Sequence, residues 1–218
     1  MYTKYEQWLN EAKSNNLTGE AWLNAMGIEN YTINTDLTVD VKGDVYIMSK
    51  ILKNIPVQFG TVSGNFDCSH NMLTSLEGCP KEVGGDFYCS FNRLTSLEGG
   101  PKTVKRHFYC NDNRLTSLEG GPEKVKGSFL CSYNNLKSLH GSPKEVKGSF
   151  YCNDNKITTL EGGPIEVKGS FLCAHNKLTS LQGCPKEVGG IFWCRNNEAV
   201  FTEDDVNTVS KVKGEIVV

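Results

Sequence analysis

Val83-Gly84-Gly85-Asp86-Phe87-Tyr88-Cys89-Ser90-Phe91-Asn92-Arg93-Leu94-Thr95-Ser96-Leu97-Glu98-Gly99-Gly100-Pro101-Lys102-Thr103-Val104 holds one full repeat of the chain and the first residue of the next. Its cysteine recurs every 21 residues, at Cys68, Cys89, Cys110, Cys131, Cys152, Cys173 and Cys194, and an asparagine follows each three positions later, from Asn71 to Asn197. A fixed period of this length means one supersecondary unit stacked on copies of itself, because a single copy cannot bury its own apolar face. Positions that recur in every copy are bound by stacking, while positions that vary are free to meet a partner.

Within the unit, Phe87 and Cys89 alternate with polar or outward residues, the period of a short strand with one buried side. Leu94 and Leu97 follow at a spacing of three, Gly99-Gly100-Pro101 forces a corner, and Val104 opens the next coil. Apolar burial does not account for Asn92. A buried amide costs about 1–3 kcal/mol unless bonded, so its two polar ends are expected to tie the turn backbones of its own coil and the adjacent one.

These residues resemble the leucine-rich repeat, L-x-x-L-x-L-x-x-N-x-L, with Phe87 and Cys89 at the paired strand positions, Asn92 at the asparagine and Leu94 and Leu97 after it. The short unit with a late proline looks most like the bacterial effector subclass, although Leu-Glu-Gly-Gly-Pro or Leu-Glu-Gly-Cys-Pro replaces L-P-x-L-P. The wording Phe-x-Cys-Ser-x-Asn-x-Leu-Thr-Ser-Leu-Glu-Gly-x-Pro also resembles arrays encoded by large bacteriophages. The resemblance implies a leucine-rich-repeat solenoid with a parallel β-sheet on the concave face and a convex side built mostly of loops and turns. Effectors with similar repeats can carry a ubiquitin-ligase domain, but the short stretch after the last clear repeat gives no ground for carrying that activity over.

The register extends to both ends. Shifting back 21 residues from Cys68 reaches Ile47, with Val45, Leu52 and Ile55 at the phenylalanine and leucine positions, which marks a degenerate first coil at 41–61 before seven clear repeats from about residue 62. Val212-Lys213-Gly214-Glu215-Ile216-Val217-Val218 copies Val-Lys-Gly-Ser-Phe-Leu-Cys at an offset of 24, so a last strand is expected there. The organisation read this way is an N-terminal helical cap at 1–40, a solenoid at 41–200 and a C-terminal cap at 201–218. In the N-terminal cap, Tyr5, Trp8, Leu9 and Ala12 form one helical stripe behind a Thr3/Glu6 capping box. A second helix runs from near Thr18 to Gly27 with Ala21, Trp22, Ala25 and Met26 inward. Thr202 and Asp205 repeat the box, with Val206 and Val209 inward.

The bulk chemistry excludes several classes. With 218 residues, a net charge of -2 and no apolar run of the ~20 residues a bilayer needs, the chain reads as one soluble domain. Met1-Tyr2-Thr3-Lys4-Tyr5-Glu6 lacks the order of a secretory signal, and nine cysteines, seven in one column, read as thiols in a cytoplasm, that of a bacterial host if the chain is phage-encoded. Thiols in a line cannot converge on a tetrahedral metal, so the column is core packing and no metal or cofactor is expected. Cys79 and Cys184, outside the column, are the more exposed candidates for oxidation. His70 and His175 share a column five coils apart, and no phosphate loop, G-x-S-x-G or H-E-x-x-H motif is present, so the chain is not expected to be an enzyme. Glu77, Glu98, Glu119 and Glu161 form one charged column and Lys105, Lys126, Lys147 and Lys168 another. Both read as solvated flanks.

Function therefore falls to the unequal residues on the strand's outward face. Between phenylalanine and cysteine stand Asp67, Tyr88, Tyr109, Leu130, Tyr151, Leu172 and Trp193, and two positions past the cysteine stand His70, Phe91, Asp112, Tyr133, Asp154, His175 and Asn196. Exposed tyrosine, tryptophan and arginine most often anchor interfaces. The expected function is noncatalytic binding of a macromolecule, a protein first, by occlusion or scaffolding. The anchors are Tyr88, Tyr109, Leu130, Tyr151, Leu172, Trp193, Phe91 and Tyr133, with Asp112, Asp154 and Arg195 among the polar contacts. The phage resemblance implies a host defence or regulatory protein as partner. A glycan, or a single-stranded nucleic acid meeting Arg93, Arg114, Lys156 and Lys177, are the alternatives. Nucleic acid is disfavoured by the net charge, and no membrane partner is expected.

Overall fold

A computed structural model describes residues 19–218. The repeats wind into a β-solenoid of about nine turns, and each regular turn carries two short strands rather than one. One sheet is built from the Phe-x segments: Val45–Tyr46, Phe66–Asp67, Phe87–Tyr88 and so on to Phe192–Trp193 and Ile216–Val217, nine strands, all parallel. The degenerate first coil and the final strand thus take the places that the register assigns them. Val45, Ile47 and Leu52 are fully or almost fully buried.

The second sheet corrects the expected loop-built side. It has ten strands, among them Phe59–Val62, Glu82–Val83, Thr103–Val104, Lys124–Val125, Glu145–Val146, Glu166–Val167, Glu187–Val188 and Lys211–Val212. Each valine packs inward and pairs in register with the valine of the next coil. A two-residue strand between a corner proline and a Lys-Gly or Gly-Gly turn has too few residues to show an alternation, which is why its pattern carries no strand signal.

Between the sheets the recurring residues form straight columns. The phenylalanine rings stack at centroid distances of 5.7 Å (Phe66 to Phe87), 5.2 Å (Phe87 to Phe108), 5.1 Å (Phe108 to Phe129) and 5.4 Å (Phe129 to Phe150). Leu94, Leu97 and their counterparts are fully buried beside them. Gly99 shows why the corner needs glycine. Its φ is +83°, and a Cβ would lie 2.7 Å from the backbone nitrogen of Glu77.

The asparagine ladder has the bonding that satisfies both amide ends. Asn92 Nδ2 donates to the carbonyls of Cys68 in the preceding coil (3.0 Å) and of Cys89 in its own (3.2 Å), and its Oδ1 accepts from Leu73 N–H (3.0 Å). Asn71, Asn113, Asn134 and Asn176 repeat the arrangement. The cysteines add a third line of coil-to-coil bonds, with Cys68, Cys89, Cys110, Cys131 and Cys152 each donating Sγ–H to a carbonyl of the following coil at 3.3 Å.

The ends differ from the expected caps in detail. The predicted helix bearing Tyr5, Trp8, Leu9 and Ala12 lies outside the described residues. Helix α1 (Gly19–Ala25) buries Trp22 and Leu23, whereas Ala25 is exposed and Ala21 and Met26 are half-buried. Residues 26–40 are not helical. Strands β1 (Tyr31–Ile33) and β2 (Val39–Val41) form an antiparallel hairpin that closes the edge of the ten-stranded sheet, which no period of 21 foretells. Such a hairpin blunts an edge that would otherwise invite pairing. At the other end helix α2 (Glu203–Val209) has the Thr202/Asp205 capping box, with Val206 buried but Val209 42% exposed. Among the described residues no helix is long and apolar enough to cross a membrane.

Candidate partner-binding face

The outward face of the nine-stranded sheet follows from pleating: with Phe87 and Cys89 buried, Tyr88 must point the other way. Tyr88, Tyr109, Leu130, Tyr151, Leu172 and Trp193 are all partly exposed along this line, and Tyr46 extends it into the first coil at 52% exposure. Asp67 departs from the series. It is buried, and Oδ1 accepts from the backbone N–H (2.9 Å) and hydroxyl (2.6 Å) of Ser69.

The aromatic residues are not independent platforms. Tyr88 and Tyr109 stack on each other at 4.6 Å and 6°, and the Tyr88 hydroxyl donates to Asp86 Oδ2 at 3.1 Å. Burial first, then this bond and the Asp86 charge, pushes the Tyr88 phenol well up. Tyr109 is raised by burial and by Asp86, with Arg106 opposing. Arg106 itself lies 3.7 Å from Asp86.

The line two residues past the cysteine has a property that the repeat pattern does not announce. His70, Phe91, Asp112, Tyr133, Asp154, His175 and Asn196 all have φ between 53° and 56°. Asn and Asp tolerate this left-handed conformation through local hydrogen bonds, but for a bulky residue it is strained. Phe91 and Tyr133 nevertheless occupy it while 46% and 56% exposed. Phe91 stacks on His70 at 4.3 Å, and the carboxylate of Asp154 raises the Tyr133 phenol. Asp112 and Asp154 are fixed by Asn111 Nδ2 (3.0 Å) and Asn153 Nδ2 (2.6 Å), whose Oδ1 atoms accept from Ser90 and Ser132 one coil back.

Arg195 sits at the end of the face and is committed structurally, since its Nε donates to the carbonyl of Val218 at 2.7 Å. Arg93, Arg114, Lys156 and Lys177 line the adjacent flank, all exposed.

A second polar ladder borders the face. Asp44, Asn65, Asp86, His107, Ser128, Ser149 and Ser170, the residues just before the phenylalanine position, each accept from the backbone N–H of the equivalent residue one coil on, at 2.6–3.0 Å. His107 joins through Nδ1, which fixes the Nε2–H tautomer. The signal was present in the sequence as an acceptor atom near the backbone in seven successive coils, from Asp44 to Ser170 and ending at Ile191, but hidden by four residue types filling one role.

The cysteines separate by burial. Cys79, expected to be exposed, is fully buried and its thiol is pushed up by desolvation, because the Gly-Cys-Pro corner turns into the core between Leu76 and Val83. Cys184 is partly exposed, with a thiol raised by burial to about 11. Among the described residues no cluster of three His, Cys, Asp or Glu side chains could hold a metal ion.

The class defined by this geometry is a parallel, two-sheeted β-solenoid with a repeating scaffold and one aromatic, unequal face. Comparison with known proteins gives no matching family model, no matching curated protein and no matching solved structure.

Proposed function

We propose that this chain is a noncatalytic binding module that captures another protein on the outward face of the nine-stranded sheet and acts by occlusion or scaffolding. The observation that carries the reading is the placement of Phe91 and Tyr133, bulky and half-exposed, in a backbone conformation for which asparagine or aspartate is the low-strain choice. Strain of this kind, of order 1–3 kcal/mol per residue, collects at binding sites. A role in folding alone does not account for it, since Asp112, Asp154 and Asn196 hold the same position without the bulk.

Ring geometry favours a protein over the alternatives. Sugars and bases bind aromatic faces, and here Tyr88 and Tyr109 cover each other's facing sides, as do His70 and Phe91. Each of these stacks takes up one face of both rings, and the resulting mix of partly covered rings with the Leu130 and Leu172 side chains suits the mixed contacts of a protein interface. The Phe-x-Cys-x-x-Asn-x-Leu wording supports placing the chain with leucine-rich repeats. Its likeness to bacteriophage arrays supports a host defence or regulatory protein as the partner, met in the bacterial cytoplasm.

The test is affinity capture from bacterial extract with wild type and a Tyr109→Ala/Tyr151→Ala variant, read by mass spectrometry. The variant is expected to lose what the wild type retains while staying folded, at a stability cost of about 0.5–1.5 kcal/mol for the broken Tyr88–Tyr109 stack. Equal retention by both would remove the proposal.

A further inference from the structure

The ten-stranded sheet carries a surface of opposite character. Because Val104, Val125, Val146 and Val167 are buried and in register, the residues on either side of each point outward as rows. Beside those four valines, the rows hold five Lys (Lys105, Lys124, Lys126, Lys147, Lys168) against two Glu (Glu145, Glu166), in a chain whose net charge is -2. Lys105, Lys126, Lys147 and Lys168 form one straight row, all exposed. Lys124, Lys126, Lys144 and Lys147 surround a single shallow depression with Glu123 and Glu145.

Few of these charges are matched. Lys168 pairs with Glu166, and Arg106 lies 3.7 Å from Asp86. Lys105, Lys124, Lys126 and Lys147 make no ion pair among the described residues. Lys105, Lys126 and Lys147, unpaired and on successive coils at strand spacing, about 4.8 Å, raise each other's electrostatic energy unless an anion lies over them.

We propose that this lysine face binds the phosphodiester backbone of a nucleic-acid duplex through charge alone. The charges recur along a straight line at a fixed interval, which complements a polymer whose charge also recurs along its length. Lysine is a point charge on a flexible stem, so the row adapts to a phosphate spacing unlike its own. The face offers no aromatic side chain to stack on a base and no Asn or Gln to read one, so binding is indifferent to sequence. The surface is separate from the aromatic face and stands or falls independently of it.

The experiment is fluorescence anisotropy of a labelled 20-base-pair DNA duplex with the full chain, from 50 to 200 mM NaCl. Neutralising four phosphates predicts a slope of log K against log salt of about -3.5 and a loss of roughly 100-fold in affinity across that range. Lys105→Gln/Lys126→Gln/Lys147→Gln is expected to weaken binding at 50 mM at least 30-fold with unchanged circular dichroism. Glu123→Lys/Glu145→Lys is expected to tighten it several-fold, which keeps the test decisive should the triple variant misfold. Tyr109→Ala/Tyr151→Ala leaves it unchanged. The proposal is overturned if wild type shows no binding at 50 mM, if neither charge variant moves the affinity, or if poly-glutamate competes as well as unlabelled duplex, which would make the face an acidic-protein surface.

Discussion

Two kinds of residue do opposite work within one coil, and single substitutions separate them. Asn113 bonds the carbonyls of Cys89 and Cys110 and accepts from Leu94 N–H, all in a dry interior. Asn113→Ala strands those groups, and a loss of about 1–3 kcal/mol is expected in urea unfolding, with the outward face unaltered. Phe91 and Tyr133 behave in reverse. Replacing both with Asn relieves the left-handed backbone, and the melting temperature is expected to stay level or rise, by the equivalent of about 1 kcal/mol per site. A marked fall in the first and none in the second is the pattern to look for. The asparagine was legible in the sequence because a buried amide demands partners. The backbone strain was not, because φ leaves no trace in residue type when five kinds of side chain share one conformation at seven positions.

At the scale of the element, the Phe-x-Cys strand was legible from its alternation and the Glu-Val strand was not, being too short to alternate. Its only sequence trace is the valine that recurs every 21 residues. The hairpin of β1 and β2 falls outside the period altogether, so repetition says nothing of it. The acceptor ladder along the nine-stranded sheet offers a sharp test at its one imidazole. His107 Nδ1 accepts from Ser128 N–H at 2.9 Å, and Asp86 Oδ1 accepts from His107 N–H at 2.8 Å. His107→Leu removes the acceptor and is expected to cost about 1–3 kcal/mol, whereas His107→Asn restores an acceptor of the kind Asn65 supplies and should recover most of it. Equal stability of the two variants, measured by chemical denaturation, would show that the ladder contributes nothing beyond the main-chain bonds.

Across the whole molecule, stacking makes stability a sum of neighbour contacts, so a property shared by every coil is amplified. The thiol column is such a property. Burial holds Cys89, Cys110, Cys152 and Cys173 well above the ordinary value of 9.0, and Cys131 with them. A group whose folded pKa is raised contributes stability that is complete below its unfolded value and lost as pH rises through the folded one. Melting temperature is therefore expected to hold level up to about pH 8.5 and fall steeply above pH 9, more gently in a Cys110→Val/Cys131→Val variant. A flat profile to pH 11 would contradict the buried, protonated column. The same burial predicts that at neutral pH an alkylating reagent reaches Cys184 before any columnar cysteine.

The division between a uniform scaffold and one unequal binding face is tested most directly by partner capture with Phe91→Asn/Tyr133→Asn, a variant whose fold is left intact or strengthened. Retained protein, quantified by mass spectrometry against wild type, is predicted to fall to the level of a blank matrix. Retention equal to wild type from this folded variant would contradict the account.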